Sequence, residues 1–308
     1  MRGLTAIRLG LLCLAVLPAC THPADPPAKH YVLRMAAGTA EDPKVKAAYS
    51  RLSNVSIRTV TPGGASITSL IELQRGNTDV GIALADVAYL AYTGQLDARS
   101  GPFKELRGMA MLDVTTLHLL LGAHTHISAI DQLKGRHVAL GPPESSSALI
   151  AETLLTANGL SVADVRGEQL AYPETVERLA SGDFDAAFMI QIPGSEPVTQ
   201  AIRDGARLLD VEGPVIEQIR QHRPFLRRTL IPKGVYPGQD RPIRTIGVPR
   251  VLICRADVDE GIVYRLLEAY FAPLPGGTPA ADLERAPATP LPLHAGAARY
   301  YRQRELSR

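Results

Sequence analysis

Two stretches decide the fold: "LQRGNTDVGIAL", residues 73–84, and "LASGDFDAAFMI", residues 179–190. Each reads as a helix end, a glycine, two residues, an aspartate and an apolar run. Gly76 and Asp79 match Gly182 and Asp185 at a constant offset of 106. The glycine ends its helix in the left-handed conformation. The apolar run that follows has the length of a buried strand. A strand, a turn with proline and a helix come before each stretch. Any βαβ chain can end helices on Gly and open strands on Asp, but the equal spacing points to two halves of similar design.

Outward from these stretches the alternation of strand and helix continues. "YVLRMAA" (31–37) predicts a first strand, "KVKAAYSRLS" (44–53) a helix, and "VSIRTV" (55–60) a strand with alternating apolar residues. Ser66 is placed to cap the helix "ITSLIELQRG". "LHLLLGA" (117–123) is strand-like, "ISAIDQLKG" a short helix ending at Gly135, and "RHVALG" a strand. Such alternation predicts parallel sheet covered by helices, an α/β fold. From about 275 the sequence is rich in Pro, Ala and Gly and predicts a tail without a core, ending in a short basic helix.

The first twenty residues read as an export signal. Arg2 and Arg8 precede the apolar core Leu9 to Val16, and "LPAC" follows. Cys20 stands where a bacterial lipoprotein is cleaved and lipidated; the alternative is an ordinary signal peptide cut nearby. Residues 21–30, "THPADPPAKH", then form a flexible tether. The chain has 33 Lys and Arg against 31 Asp and Glu, so losing Arg2 and Arg8 leaves the remainder neutral. That balance offers nothing to nucleic acid or an anionic membrane surface. Of three cysteines only Cys254 remains in the folded part, within the apolar "VLICRA". Among 308 residues there is no tryptophan, so the core must be Leu, Ile, Val and Ala.

The stretch "GPPESSSALIAETLL" (141–155) raises a question of its own. One serine suffices to cap a helix, yet Ser145, Ser146 and Ser147 stand in a row behind Glu144. In open α/β sheets ligands sit beyond the carboxyl ends of strands, against helix N-termini, whose free N–H groups suit an anion. "TPGGAS" (61–66) is a second loop of this kind, with Gly63 and Gly64 permitting close backbone approach and Ser66 beside them. The spare serines either face a ligand or are solvated loop residues; the ligand-facing reading is preferred.

The ordered set of motifs resembles the TAXI-type solute-binding subunits of tripartite ATP-independent periplasmic (TRAP) transporters. It comprises "TPGGASITSLIELQRGNTDVGIALADVAYLAYTG" (61–94), "ISAIDQLKGRHVALGPPESSSALIAETLL" (127–155), "YPETVERLASGDFDAAFMI" (172–190), "LIPKGVYPGQD" (230–240) and "LHAGAARYY" (293–301). The resemblance implies a periplasmic binding protein of type 2, with two α/β lobes, a hinge and a ligand cleft between them. Lobe 1 would hold 31–120 and 245–274, lobe 2 would hold 121–244, and 275–308 would be the tail. It also implies a receptor in the periplasm, lipid-anchored through Cys20, that hands a small solute to a TRAP permease without covalent chemistry or a cofactor.

Carried onto this chain, the expected ligand-contacting positions are Thr39, Gly63, Gly64, Ser66, Leu84, Ala85, Asp86, Glu144, Ser145, Ser146, Ser147 and Gln191. Several depart from the family's pattern. The opening "AAGTAEDPKV" has one glycine, Gly38, and the polar pair usual before the aspartate of "DVAY" is Leu84-Ala85 here. Glu144 and Ser146 replace the family's Gly and Thr in the serine loop. A glutamate-like or dicarboxylate solute therefore does not transfer directly; a less polar solute, or one with an amine facing Glu144 or Glu41, is the alternative. His124 and His126 lack a third metal ligand, and no G-x-S-x-G elbow or acid–base pair marks an enzyme. A competing function is a ligand sensor that docks on a membrane kinase, since it needs the same closing cleft.

Overall fold

The computed structural model describes residues 30–61, 66–96, 99–272 and 283–306. Cys20, the export segment, nearly all of the tether, and Gly63 and Gly64 lie outside the described residues.

The first half opens with β1 (Tyr31–Ala36), α1 (Ala37–Ala40), α2 (Pro43–Tyr49) and β2 (Val55–Thr61). Then come α3 (Ser66–Arg75), β3 (Val80–Leu84) and α4 (Ala85–Thr93). β1 lies between β2 and β3, parallel to both. Asp42 starts α2: its carboxylate accepts from the N–H groups of Lys44 and Val45, both at 3.1 Å, with Pro43 in the first turn.

β4 (Leu106–Leu121) leads into the second half. That half contains β5 (His137–Ala139), α5 (Ser146–Ala157), β6 (Arg166–Glu168), α6 (Tyr172–Ala180) and β7 (Ala186–Gln191). It continues through α7 (Glu196–Arg203), β8 (Arg207–Leu209), α8 (Pro214–His222) and β9 (Arg227–Ile231). β10 (Ile243–Arg255) returns to the first half, followed by α9 (Glu260–Tyr270) and α10 (Ala295–Leu306). One ten-stranded sheet runs β2-β1-β3-β10-β4-β7-β5-β6, with β8 and β9 as side branches.

Two long antiparallel strands join the halves. β10 pairs with β3 through Arg250–Cys254 and with β9 through Ile243–Gly247. β4 pairs with β7 through Thr116–Leu121. Between these regions the β4–β10 register shifts, between Pro249 and Val251. Pro249 cannot donate to the ladder, so a break in pairing falls naturally at this place. Arg250 holds it together: its guanidinium reaches Asp113 of β4 at 2.7 Å and Asp42 at 2.9 Å.

The repeated pattern has one geometry in both halves. Asp79 donates its N–H to the Arg34 carbonyl at 2.8 Å, and its carboxylate accepts the Arg34 N–H at 2.7 Å. Asp185 does the same with His137, at 2.8 and 2.9 Å. Gly76 and Gly182 precede them at φ 76° and 85°, which only glycine adopts without strain. The aspartate thus closes the start of a parallel strand pair where the ladder would leave an open N–H.

The structure corrects several local expectations. Ser66 is not a cap: it is the first residue of α3, and its hydroxyl accepts the Leu84 N–H at 3.2 Å. β4 begins at Leu106 rather than near 117. The helix expected over "ISAIDQLKG" is a single 3-10 turn, Ile130–Leu133. The tail is not coreless where it is described. Ala286, Leu291, Ala297 and Tyr300 are buried, and the Tyr301 hydroxyl donates to the Met109 carbonyl at 2.9 Å. Gly108 receives this segment by pairing with Leu293 and donating its N–H to Pro292. Cys254 is buried in the core, as expected.

Candidate functional site

α4 begins directly at the end of β3. Leu84 is its N-cap residue and offers no side-chain acceptor, so the first N–H groups of the helix receive nothing from their own cap. α5 begins after β5 and the Gly141–Glu144 turn. Gly141 has φ 102°, and a Cβ there would meet the Ser147 Cβ at 2.4 Å, so the turn passes closely over the helix start. α3 begins beside α4. All three helix starts lie past the carboxyl ends of strands.

These ends meet across the two halves. Thr68, in the first turn of α3, donates to the Glu144 carboxylate at 2.9 Å. Tyr89 of α4 packs on Phe225, which precedes β9, with ring centroids 5.5 Å apart. Leu70, Leu84 and Val87 of the first half share one buried apolar cluster with Ile150, Ile219 and Leu226 of the second. Glu144 makes its contact from φ 53°, the left-handed region, where a non-glycine residue is strained.

The three serines divide in function. Ser145 is the N-cap: its hydroxyl accepts the Ala148 N–H at 3.2 Å and donates to the Pro142 carbonyl at 2.6 Å. Ser147 fastens β7 to α5. Its hydroxyl accepts the Ile190 N–H at 3.1 Å and lies 2.7 Å from the Tyr172 hydroxyl. Burial pushes the Tyr172 phenol up, and the Gln191 side chain lies beside it. Ser146 is 3% exposed and its hydroxyl has no partner.

Other expected positions are absorbed by the fold. Thr39 accepts the Ile82 N–H at 3.1 Å and so ties α1 to β3. Leu84 and Ala85 are buried and apolar. Gln191 ends β7, half-buried, opposite Thr116 of β4. Glu41 is exposed just after α1. Asp86 stands apart. It is 2% exposed in the first turn of α4, and neither carboxylate oxygen has a hydrogen-bond partner, the nearby Val87 N–H notwithstanding. Burial raises its pKa to about 6, against smaller opposing effects from Val87 and from the positive charge of Arg223 in the second half.

Thr68, Tyr172, Arg223 and Phe225 were not singled out by the sequence. Thr68 carried a signal in hindsight, as a polar residue in a helix first turn beyond a strand. Arg223 and Phe225 carried none, because only the approach of the two halves brings them to α4. Among the described residues no group of three His, Cys, Asp or Glu is placed to hold a metal ion. Among them, too, no helix is long and apolar enough to cross a membrane.

Solved structures share this architecture. A Xanthomonas citri protein solved with ATP bound is 16% identical, with 90% of this chain and 95% of that one covered, at a TM-score of 0.53. A structure described as a periplasmic transporter is 14% identical, covering 79% and 82%, at 0.50. The alkanesulfonate-binding protein of Xanthomonas axonopodis pv. citri, bound to MOPS, is 18% identical over 80% and 73%, at 0.48. The likeness is one of fold, a mixed α/β arrangement around one curled sheet. The NMT1-like family model matches residues 44–304, and the chain belongs to that family.

Proposed function

We propose that this protein is an extracytoplasmic receptor that closes on a small organic solute and delivers it to a membrane permease. The observation that carries the reading is the Thr68–Glu144 hydrogen bond. It joins a helix start of one half to a helix start of the other, while among the described residues β4 and β10 alone connect the sheet between them. A contact of this kind lies between two bodies that swing about a strand hinge, with the closed state favoured by solute. The protein holds and releases; it makes and breaks no covalent bond.

The lobes in this reading are residues 31–120 with 245–274 and residues 121–244, with the crossing inside β4 and β10. The partner is a TRAP-type permease, on the ordered motifs that resemble TAXI subunits. Residues 1–20 direct export, and Cys20 carries the lipid that keeps the receptor at the membrane of the periplasm. The cleft would be lined by Leu84, Ala85, Asp86, Ser146 and Glu144, with Gly63, Gly64 and Ser66 on the facing loop.

The test is thermal unfolding of the purified protein against amino acids, C4 and C5 dicarboxylates, aromatic acids and amines. A solute at about a hundred times its Kd adds about 2.7 kcal/mol of stability. A hit whose addition also compacts the protein in X-ray scattering supports the reading. A panel with no hit and no compaction contradicts it. Deletion of a TRAP permease gene of the source organism, abolishing uptake of the same solute, tests the partner.

A further inference from the structure

Near the facing helix starts, the fold leaves two buried polar side chains unused, Asp86 of α4 and Ser146 of α5. A carboxylate taken out of water without a partner is costly, and buried polar groups are nearly always paired. Neither Asp86 oxygen has a well-aligned partner, and the N–H groups of Val87 and of Asp86 itself act on the carboxylate only weakly against its burial. Its flanks, Leu84, Ala85, Val87 and Ala88, are buried and apolar. No salt bridge involves it among the described residues. Arg223 acts on it through space but is bonded elsewhere, to the Thr153 hydroxyl at 3.3 Å.

The position adds a second point. Asp86 sits at the positive end of α4, the place where an anionic solute would otherwise dock. With a carboxylate already there, a second anion meets like charge in a low dielectric. A cation meets the opposite. The Ser146 hydroxyl, buried and unpartnered at the start of α5, is a second unused polar group, able to accept an N–H or to donate.

We propose that Asp86 is the specificity-determining residue of the cleft, and that its carboxylate pairs with an ammonium group on a short aliphatic solute, with Ser146 as the second hydrogen-bonding contact. This rests on the receptor reading and reverses the charge of solute that the family resemblance implies.

The experiment compares cadaverine and glutarate, which share a five-carbon span and carry opposite charge, by calorimetry on the purified full chain and on Asp86→Asn and Ser146→Ala. Cadaverine is expected to bind and glutarate not. Asp86→Asn should weaken cadaverine binding by about tenfold or more, the loss of a charge-assisted hydrogen bond, while raising the unfolding midpoint of the free protein. Ser146→Ala should weaken it several-fold at an unchanged midpoint. A purely structural Asp86 would lower the midpoint instead. Glutarate binding without cadaverine binding overturns the assignment and leaves the receptor reading standing. Cadaverine binding that Asp86→Asn does not weaken also overturns it. Binding of neither probe overturns it as well, and the wider panel with scattering then decides the receptor reading separately.

Discussion

At the scale of single residues, burial and partners separate the three serines of one loop more sharply than their identity does. Ser147→Ala strips a bond from the Ile190 N–H and from the buried Tyr172 hydroxyl. It is expected to cost about 1–3 kcal/mol. Ser145→Ala removes a cap and should cost about 1 kcal/mol. Ser146→Ala, with no bond to lose, should stay within about 0.5 kcal/mol. Urea unfolding of the three variants checks the order.

Asp86 and His118 give a pH signature with opposite signs. Burial raises Asp86 from 3.8 to about 6. The neutral acid is therefore the form the fold tolerates, and its contribution is complete below 3.8 and lost as pH rises through about 6. Burial lowers His118 from 6.5 to about 4, with the Tyr236 hydroxyl 2.7 Å from its Nε2. Its contribution is complete above 6.5 and lost as pH falls through about 4. Each is worth about 3 kcal/mol across its window, so the two largely offset in the native chain. Asp86→Asn removes one of them. Between pH 4 and 6.5 that variant should gain more stability with rising pH than the native protein does, as read by denaturant midpoints.

At the scale of elements, the β4–β10 junction carries a testable weight on Arg250. Asp42 is nearly buried and shares this guanidinium with Asp113. Arg250→Met leaves the Asp42 charge uncompensated and should cost about 3 kcal/mol, whereas Asp113→Asn on the more exposed side should cost about 1 kcal/mol or less. Chemical denaturation separates them. The paired aspartates were legible in the sequence as strand starts because Gly-x-x-Asp recurs at a constant offset; their bonds to Arg34 and His137 were not, since those partners come from distant strands. The start of β4 was not. Gly108 to Met111 are buried on both faces, so the two-residue alternation that marks a strand is absent there. The 3-10 turn at Ile130–Leu133 shows the limit of a short apolar periodicity, which one turn satisfies as well as a helix does. The motif "GVYPGQD" marks a fold device: Tyr236 is buried, and its hydroxyl accepts the Gly194 N–H at 2.9 Å.

At the scale of the whole molecule, the two halves are alike in design but unequal in what closes them. The first is sealed by the chain's C-terminal part. Phe271 stacks on Tyr300, with centroids 5.8 Å apart, and Tyr301 reaches back to β4. Composition concealed this, because a proline-rich stretch reads as coreless although its few apolar residues are the ones that pack. Removal of residues 283–308 is expected to abolish cooperative unfolding, as followed by near-ultraviolet dichroism. The candidate cleft was half legible. Its loops were located from strand ends and helix starts, but Arg223 and Phe225 belong to it only because the halves meet.

The most direct measurement is the distance between the halves. Spin labels at Arg75→Cys on α3 and Glu152→Cys on α5 occupy exposed positions, and Cys254 is buried and silent. A receptor that closes on solute should show a broad or longer distance alone and a single shorter one with a binding solute from the panel. One unchanged distance with and without a solute that demonstrably binds would contradict the account.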